Sequence, residues 1–216
     1  MTQGLDDSGR VRREFGKPVI GLAGGIGAGK TAVARVFESL GAAVIDSDRL
    51  AHEVLQDPDA VTTLREWWGD SILSSGGAID RAAVGELVFR QPAELKRLEG
   101  LLYPLIERRR SELMAAYAKE EGVKGIVVDA PKLYEAGVDK ICDVVVFVEA
   151  DRSVRVSRVA DSRGWTEEEL DRRESLQNPL DAKKASADYV VTNNSGIEGL
   201  RIQVERVFSS VLASFT

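Results

Sequence analysis

Near one end of the chain the sequence reads Gly24-Gly25-Ile26-Gly27-Ala28-Gly29-Lys30-Thr31, which matches the pattern G-x-x-x-x-G-K-[ST] of a phosphate-binding loop. The apolar run at 19–23 comes directly before this segment and predicts a buried strand. Apolar residues at helical spacing between 31 and 40 predict a helix directly after it. A strand, a glycine turn and a helix in this order are the context that the pattern requires.

The residue types in this loop suit the binding of a polyphosphate. Backbone N–H groups can surround phosphate oxygens only where no Cβ intrudes, which explains the glycines, and the following helix directs its positive end to the same place. Lys30 adds a positive charge, and the hydroxyl of Thr31 can bind Mg²⁺. The predicted phosphate-binding residues are Gly25, Ile26, Gly27, Ala28, Gly29, Lys30, Thr31 and Ala32.

Composition limits the classes of protein to which the chain can belong. It has 216 residues, of which 44% are hydrophobic and 30% charged, and this suits an α/β domain with one or two small insertions. The net charge of −6 and the absence of a block of basic residues argue against binding to nucleic acid or to a membrane surface. An anionic substrate must therefore be held by local positive groups and a metal ion.

Cysteine content and hydropathy bear on the compartment. Cys142 is the only cysteine, so an intrachain disulfide is impossible, a cytoplasmic location is compatible, and the thiol is predicted to be a small core residue. No apolar run approaches the roughly 20 residues of a membrane span. Residues 1–15 are polar and lack the apolar segment of a secretory signal, and we expect a disordered tail there.

Beyond the loop, the hydrophobic pattern predicts a parallel sheet with two helical segments. Further strands are predicted at 42–46, 125–129, 143–149 and 188–192, and their alternation with helices indicates parallel strands. A closing amphipathic helix is predicted at 197–212. The region 49–122 has no convincing strand and is predicted to be a helical insertion, with helices at 50–55, 60–68, 81–89 and 94–118.

Arginine occurs in two contexts. Three consecutive arginines at 108–110 are predicted to lie on a solvated helix face. The segment 151–187 contains many arginines, among them Arg155 and Arg158, which share a helix face. This segment could be a lid that closes arginines onto phosphates, or a surface helical hairpin with internal ion pairs, and the pattern does not decide between them.

Two carboxylates follow the second predicted strand. Asp46 and Asp48 lie at its carboxyl end, where open parallel sheets bind ligands. From the pattern alone, Asp48 could be a general base or the N-cap of a helix that begins at 49 or 50.

The chain resembles the bacterial dephospho-CoA kinase family from Lys17 to about Leu200, and an ordered set of motifs supports this resemblance better than the loop alone. The motifs are the loop at 24–31, Val44-Ile-Asp-Ser-Asp48, Ile79-Asp-Arg81, Leu101-Leu-Tyr-Pro104, Asp129-Ala-Pro-Lys-Leu-Tyr-Glu135, and Ala187-Asp-Tyr-Val-Val with Asn193-Asn194.

The resemblance implies an activity and an architecture. It implies transfer of the γ-phosphoryl group of ATP, with Mg²⁺, to the ribose 3′-hydroxyl of dephospho-CoA, the small-molecule substrate. It also implies an α/β P-loop kinase domain at 16–216 with a five-stranded parallel sheet of order 2-3-1-4-5. The region 49–122 would then be the CoA-binding insertion and the region 151–187 a small helical lid.

The resemblance also assigns roles to residues at matching positions. Asp48 matches the general base, Lys30 and Thr31 keep their loop and Mg²⁺ roles, and Arg158 matches a lid arginine; Asn194 falls where related kinases place adenine. The expected catalytic residues are therefore Asp48, Lys30 and Arg158. The residues expected to contact dephospho-CoA are Asp48, Arg81, Tyr103, Pro104, Leu133, Tyr134 and Glu135.

Several of these assignments have structural alternatives. Arg81 could instead cap a helix, Leu133 and Tyr134 could be core residues, and 193–196 could be a plain turn. Asp129 could hold Mg²⁺ through water or could cap the next turn.

The sequence departs from the family pattern at several positions. Tyr103 replaces the usual histidine and Lys132 replaces an apolar residue. A second lid arginine is usual four residues after Arg158, but Ser162 occupies that position and Arg163 follows it. His52 is the only histidine and matches nothing catalytic.

Two other functions are compatible with the loop. The chain could be another small-molecule P-loop kinase that acts on a nucleoside or nucleotide, because the helical insertion does not reveal its acceptor. It could also be a regulatory module that binds a nucleotide without catalysis.

Overall fold

A computed structural model of the chain describes residues 16–194 and 196–215. The tail predicted at 1–15, and Ser195 within the turn predicted at 193–196, lie outside these residues. The described residues form two compact units, one composed of 16–47 and 114–215 and the other of Asp48–Leu113.

The first unit contains a five-stranded parallel sheet of order β2-β3-β1-β4-β5, as expected from the family resemblance. The glycine-rich loop leaves the carboxyl end of β1, the central strand, and the neighbouring strands end at the same edge. The strands are β1 (Val19–Gly24), β2 (Ala42–Asp46), β3 (Gly125–Asp129), β4 (Val144–Glu149) and β5 (Tyr189–Thr192).

Helices connect the strands of the first unit and form the second unit. Two of them cross the boundaries between the units, namely α2 and α5. The helices are α1 (Lys30–Ser39), α2 (Ser47–Leu55), α3 (Pro58–Trp68), α4 (Arg81–Arg90), α5 (Pro92–Lys119), α6 (Arg152–Arg163), α7 (Glu167–Glu174), α8 (Leu180–Ala185) and α9 (Ile197–Ser214).

The core of the first unit lies between the sheet and the helices α1 and α9. The central strands β1, β3 and β4 are buried along almost their whole length, which explains why their sequences are continuously apolar. The rings of Phe37 and Phe208 meet edge to face, with centroids 5.4 Å apart, and join α1 to α9. Such an aromatic pair contributes about 0.5–1.5 kcal/mol beyond its buried area.

The second unit is helical around a small apolar core of its own. Leu64 and Ile72 are fully buried in this core. Asp57 caps α3 by accepting the N–H of Asp59, and Asp80 caps α4 by accepting the N–H of Ala82. The only β structure in this unit is an isolated antiparallel bridge between Leu73 and Ile79.

Some details differ from the prediction, and others confirm it. Arg110 is buried at 8% exposure, so the prediction of a solvated face for all three consecutive arginines was wrong for this residue. Successive residues on a helix point about 100° apart, and three of them therefore cannot share one environment. Cys142 is fully buried, which confirms its predicted core position. Among the described residues, no helix has the length and apolar character that a membrane crossing requires.

Candidate active site

The glycine-rich loop has a backbone conformation that only glycine adopts easily. Gly24, Gly27 and Gly29 have φ angles of +147°, +77° and +89°. Gly29 is the N-cap of α1, so the loop delivers its backbone to the positive end of that helix. An anion placed at this end would meet backbone N–H groups and a favourable dipole together.

Three glycines are also required because other elements approach the loop closely. A Cβ on Gly24 would lie 2.5 Å from the carbonyl oxygen of Val148, and one on Gly27 would lie 2.8 Å from that of Arg155. A Cβ on Gly29 would lie 2.2 Å from Nδ2 of Asn193. The loop is therefore enclosed by β4, α6 and the end of β5, and its glycines are needed for this packing.

Lys30 and Thr31 begin α1. The ammonium group of Lys30 donates to the carbonyl oxygens of Gly24 and Gly25, at 3.0 and 3.2 Å, so that its charge lies at the loop. Thr31 is exposed, whereas Ala28 is fully buried and Ala32 packs against the core of the first unit. The loop therefore presents backbone groups, one ammonium and one hydroxyl.

Arg158 and Asn193 hold the loop from the side of α6 and β5. The guanidinium of Arg158 donates to the carbonyl oxygen of Ala28 at 3.2 Å and to that of Asn193 at 2.9 Å. The amide of Asn193, which is buried, donates to the carbonyl oxygen of Ala28 at 2.8 Å. Asn194 is exposed, and its side chain accepts the N–H of Asp151 at 2.8 Å. Arg158, which was predicted to be a lid arginine, thus lies at the loop.

A second arginine on α6 reaches the same loop. Arg155 is 6% exposed and donates to the carbonyl oxygen of Ile26 at 3.4 Å. It also forms a salt bridge with Glu174 at the end of α7. The carboxylate of Glu174 in turn accepts the N–H of Ile26 at 3.3 Å. The family pattern assigned no role to Arg155 or Glu174, although the spacing of Arg155 and Arg158 predicted their shared face.

Several aspartates lie at the edge of the sheet where the strands β2 and β3 end. Asp46 and Asp129 are paired in register at the ends of β2 and β3. Asp48 follows in the first turn of α2 and is exposed. Because α2 begins at Ser47, the alternative in which Asp48 is the N-cap of a helix beginning at 49 or 50 was wrong.

The turn after β3 contains three of the residues predicted to contact substrate. Leu133 is 2% exposed and lies against Gly21, as the packing alternative requires, whereas Tyr134 is half-buried. Glu135 forms an ion pair of 2.7 Å with the buried Lys183 and accepts the N–H of Asn178 at 2.8 Å. Burial raises the pKa of Glu135, but these hydrogen bonds outweigh burial and hold its pKa below the usual value. Glu135 therefore links this turn to α8 and to the segment before it.

The other residues predicted to contact dephospho-CoA lie in the second unit. Arg81 is exposed at the start of α4; since Asp80 caps this helix, the capping alternative for Arg81 was wrong. Its guanidinium lies 3.5 Å from Nδ1 of the half-buried His52. Tyr103 and Pro104 are exposed on α5.

The phenol of Tyr103 has a partner within its own helix. Its hydroxyl donates to Oε1 of Glu99 at 2.9 Å. Partial burial and this hydrogen bond to a carboxylate raise the pKa of Tyr103 to about 12. Tyr103 is therefore a neutral hydrogen-bonding group at physiological pH.

The donors at the loop fit Mg²⁺ bound together with a nucleotide. Among the described residues there is no group of three or more His, Cys, Asp or Glu side chains that could form a metal cage. Mg²⁺ usually keeps several waters and binds phosphate oxygens with one or two protein oxygens. The exposed hydroxyl of Thr31 and the carboxylate of Asp129 at the end of β3 match that requirement.

Comparisons with known proteins agree on one family. The family model described as dephospho-CoA kinase matches residues 18–199. Proteins named dephospho-CoA kinase from Geobacter sulfurreducens and Thermobifida fusca are 38% and 36% identical to this chain, over 88% and 89% of its length and 97% and 95% of their own.

Two solved structures are similar in fold. A crystal structure of a Thermus thermophilus protein has 32% identity and a TM-score of 0.76, covering 93% of this chain and 98% of its own. A dephospho-CoA kinase from Campylobacter jejuni has 22% identity and a TM-score of 0.64, covering 91% of this chain and 98% of its own, which supports the fold alone.

Proposed function

This chain belongs to the dephospho-CoA kinase family, and we propose that it transfers the γ-phosphoryl group of ATP to the ribose 3′-hydroxyl of dephospho-CoA, producing CoA and ADP. This is the final step of CoA synthesis. The observation that supports the proposal most strongly is the match of the family model to 18–199, which includes a glycine-rich loop with the geometry of a phosphate site.

We propose that the loop of the first unit binds the phosphates of ATP. The backbone N–H groups from Gly25 to Ala32 and the positive end of α1 attract phosphate oxygens, and the ammonium of Lys30 already lies at the loop. Asn194 would lie beside adenine. Arg158, fixed to the loop by its bonds to Ala28 and Asn193, would neutralise the charge that develops on the transferred group.

Asp48 is the proposed general base. As the 3′-oxygen attacks the γ-phosphorus, the bond from that phosphorus to the β–γ bridging oxygen breaks, ADP leaves, and the hydroxyl proton passes to the carboxylate of Asp48. A positioned base of this kind contributes typically ~10²–10⁴-fold. Its support is the position of Asp48, exposed and two residues after the carboxyl end of β2.

The proposed Mg²⁺ site uses the hydroxyl of Thr31, with Asp129 acting through water. When bound, Mg²⁺ would neutralise charge on the β- and γ-phosphates. We propose that Arg81, Tyr103 and Pro104, together with the turn 133–135, contact dephospho-CoA, and that the enzyme acts in the cytoplasm.

A panel of acceptors tests the reaction. Purified protein with ATP and Mg²⁺ should phosphorylate dephospho-CoA in preference to nucleosides and nucleoside monophosphates, measured as ADP release coupled to NADH oxidation, with the product identified by mass spectrometry. Preference for a nucleotide would identify another small-molecule kinase. Binding of ATP without transfer to any acceptor would identify a regulatory module.

A further inference from the structure

Arg155 and Glu174 both contact the glycine-rich loop, although the family pattern assigns no role to either. The family usually has a second lid arginine four residues after Arg158, but this chain has Ser162 there. The hydroxyl of Ser162 donates to the carbonyl oxygen of Arg158 within α6, at 2.6 Å, and is exposed. Ser162 therefore cannot supply a positive charge.

The neighbouring Arg163 does not replace the missing arginine at the loop. Its guanidinium lies over the ring of Trp165, 4.7 Å from the ring centroid, and Arg173 lies over the same ring at 4.1 Å. These arginines are exposed and belong to the α6–α7 surface. The register shift from 162 to 163 thus directs the side chain to an aromatic partner.

Arg155 lies one turn before Arg158 and does reach the loop. The backbone of α6 touches the loop at Arg155, because a Cβ on Gly27 would lie 2.8 Å from the Arg155 carbonyl oxygen. The side chain is 7% exposed, and its Nε is buried without a hydrogen-bond partner among the described residues. A guanidinium with an unused, buried donor beside a phosphate loop has the chemistry of a phosphate ligand.

Glu174 places a carboxylate on the same loop. One of its oxygens accepts both the N–H of Ile26 and the guanidinium of Arg155. The same oxygen lies 3.2 Å from the position that a Cβ on Gly25 would occupy. A phosphate oxygen of ATP would bind to the same kinds of donor, namely loop N–H groups and an arginine. The Glu174 carboxylate therefore occupies a position that could bind a phosphate.

Two anions cannot share this position. Like charges only a few ångströms apart repel strongly in a site that is largely shielded from water. Arg155 and Gly25 also border a cavity of about 120 Å³, lined further by Glu149 and Lys184, so the guanidinium is not enclosed by close packing on every side. This cavity leaves space beside the Arg155 side chain.

We propose that Arg155 is a phosphate-binding arginine of the ATP site, taking the role of the arginine missing at 162, and that the Glu174 carboxylate competes with an ATP phosphate for Arg155 and the N–H of Ile26. ATP binding then exchanges one anion for another at the same donors. This inference rests on the proposed function for the identity of the nucleotide, but it concerns binding and not the acceptor.

The test is the affinity for ATP with Mg²⁺, measured by isothermal titration calorimetry on the full chain. Arg155→Ala should weaken ATP binding about tenfold or more, since a charge-assisted contact is lost. Glu174→Gln keeps the shape but removes the competing charge, and it should tighten ATP binding about threefold or more. The two variants thus shift affinity in opposite directions.

The control is Arg152→Ala. Arg152 lies on the same helix and also joins α6 to α7, through exposed ion pairs of 2.9 Å to Glu167 and 2.7 Å to Asp171, away from the loop. This variant should keep the ATP affinity within about twofold, because exposed pairs contribute little. If loosening α6 from α7 were sufficient to weaken binding, Arg152→Ala would weaken it too.

The possible results separate the two proposals. Weaker binding in both Arg155→Ala and Glu174→Gln would mean that the pair is only a structural brace, and normal affinity in Arg155→Ala would remove Arg155 from the site. If Arg155→Ala does not fold, Arg155→Lys replaces it in the test. Arg155→Lys should then weaken ATP binding, whereas Glu174→Gln should tighten it. Wild-type protein that binds ATP but does not phosphorylate dephospho-CoA would overturn the proposed function while leaving this test unaffected.

Discussion

The two units of this chain differ in how a site can be built on them. In the first unit the proposed binding surface consists of backbone, since a glycine loop, a helix terminus and the ends of parallel strands converge at one edge of the sheet. In the second unit the candidate groups are exposed side chains on helices, such as Arg81 on α4 and Tyr103 on α5. A backbone site leaves a strong sequence motif, whereas side chains on helices do not.

We therefore expect the two units to bind different ligands. Nucleotide binding is expected to depend on the geometry of the first unit, and acceptor recognition on a few side chains of the second. Variants in one unit should then alter one ligand and spare the other.

Asp48→Asn should have the largest effect on activity. If it also altered ATP binding, the two ligands would not be bound independently by the two units. The amide cannot accept the proton of the 3′-hydroxyl, so kcat is expected to fall ~100-fold or more while ATP affinity stays within about twofold. Glu53→Gln is the control, because Glu53 is an exposed carboxylate on the same helix, paired with Arg49. Steady-state kinetics and calorimetry measure the two quantities, and a near-normal kcat would remove Asp48 from the base role.

Gly29→Ala should weaken ATP binding about tenfold or more, since the new methyl group combines backbone strain of about 1–3 kcal/mol with a clash. The φ of +89° disfavours alanine, and the Cβ would lie 2.2 Å from Nδ2 of Asn193. In the control Gly137→Ala, φ is +66° but nothing lies within 4 Å of the added Cβ. If both variants bind ATP like the wild type in calorimetry, the close approach of Asn193 does not shape the loop.

Arg81→Ala examines the second unit. Loss of a charged donor should raise the KM for dephospho-CoA by about tenfold and leave ATP affinity unchanged. Arg90→Ala serves as the control, because Arg90 ends the same helix and is paired with Glu86 on the surface. An equal rise of KM in both variants would point to general weakening of α4 rather than to a contact with the acceptor.

Glu135→Gln should have the smallest effect, a loss of about 1.5 kcal/mol of folding free energy, because the charge-assisted bond to the buried Lys183 is lost, and this loss depends on pH. Because the pKa of Glu135 is lowered from 4.5 in the folded protein, its stabilising contribution is complete above the unfolded pKa and disappears as pH falls through the folded value. The stability gap between wild type and variant should therefore be constant near pH 7 and close below about pH 4.5.

Chemical denaturation at several pH values measures this gap. Glu149→Gln is the matched control, because Glu149 pairs with the neighbouring, exposed Lys184 whereas Glu135 pairs with the buried Lys183. The exposed pair should contribute at most about 1 kcal/mol. A gap that widens toward acidic pH would contradict the lowered pKa.

Much of the first unit could be predicted from the sequence because its signals are local. Buried strands are continuous apolar runs, and the glycine pattern follows from the backbone conformation that it requires, so the strands and the loop were placed within a residue or two. The partners of the loop could not be predicted in this way. Glu174 lies 148 residues from Ile26 along the chain, and no local pattern links them.

The burial of particular charged residues also could not be predicted from the sequence. Arg108, Arg109 and Arg110 are chemically identical, yet only Arg110 is buried. Likewise Lys183 and Lys184 are neighbours with opposite environments. A residue's type determines what it can bind, but the direction of its side chain within a packed structure determines what it meets.

The sequence by itself therefore determined the parallel strands and the glycine-rich loop, because these follow from apolar periodicity and from the glycine pattern, and it indicated the family through an ordered set of motifs. Only the tertiary structure decided that Arg155 and Glu174 reach the loop and that Glu135 forms an ion pair with Lys183. The physical reason is that the first group of features depends on neighbours along the chain, whereas the second depends on contacts that form only when distant segments fold together.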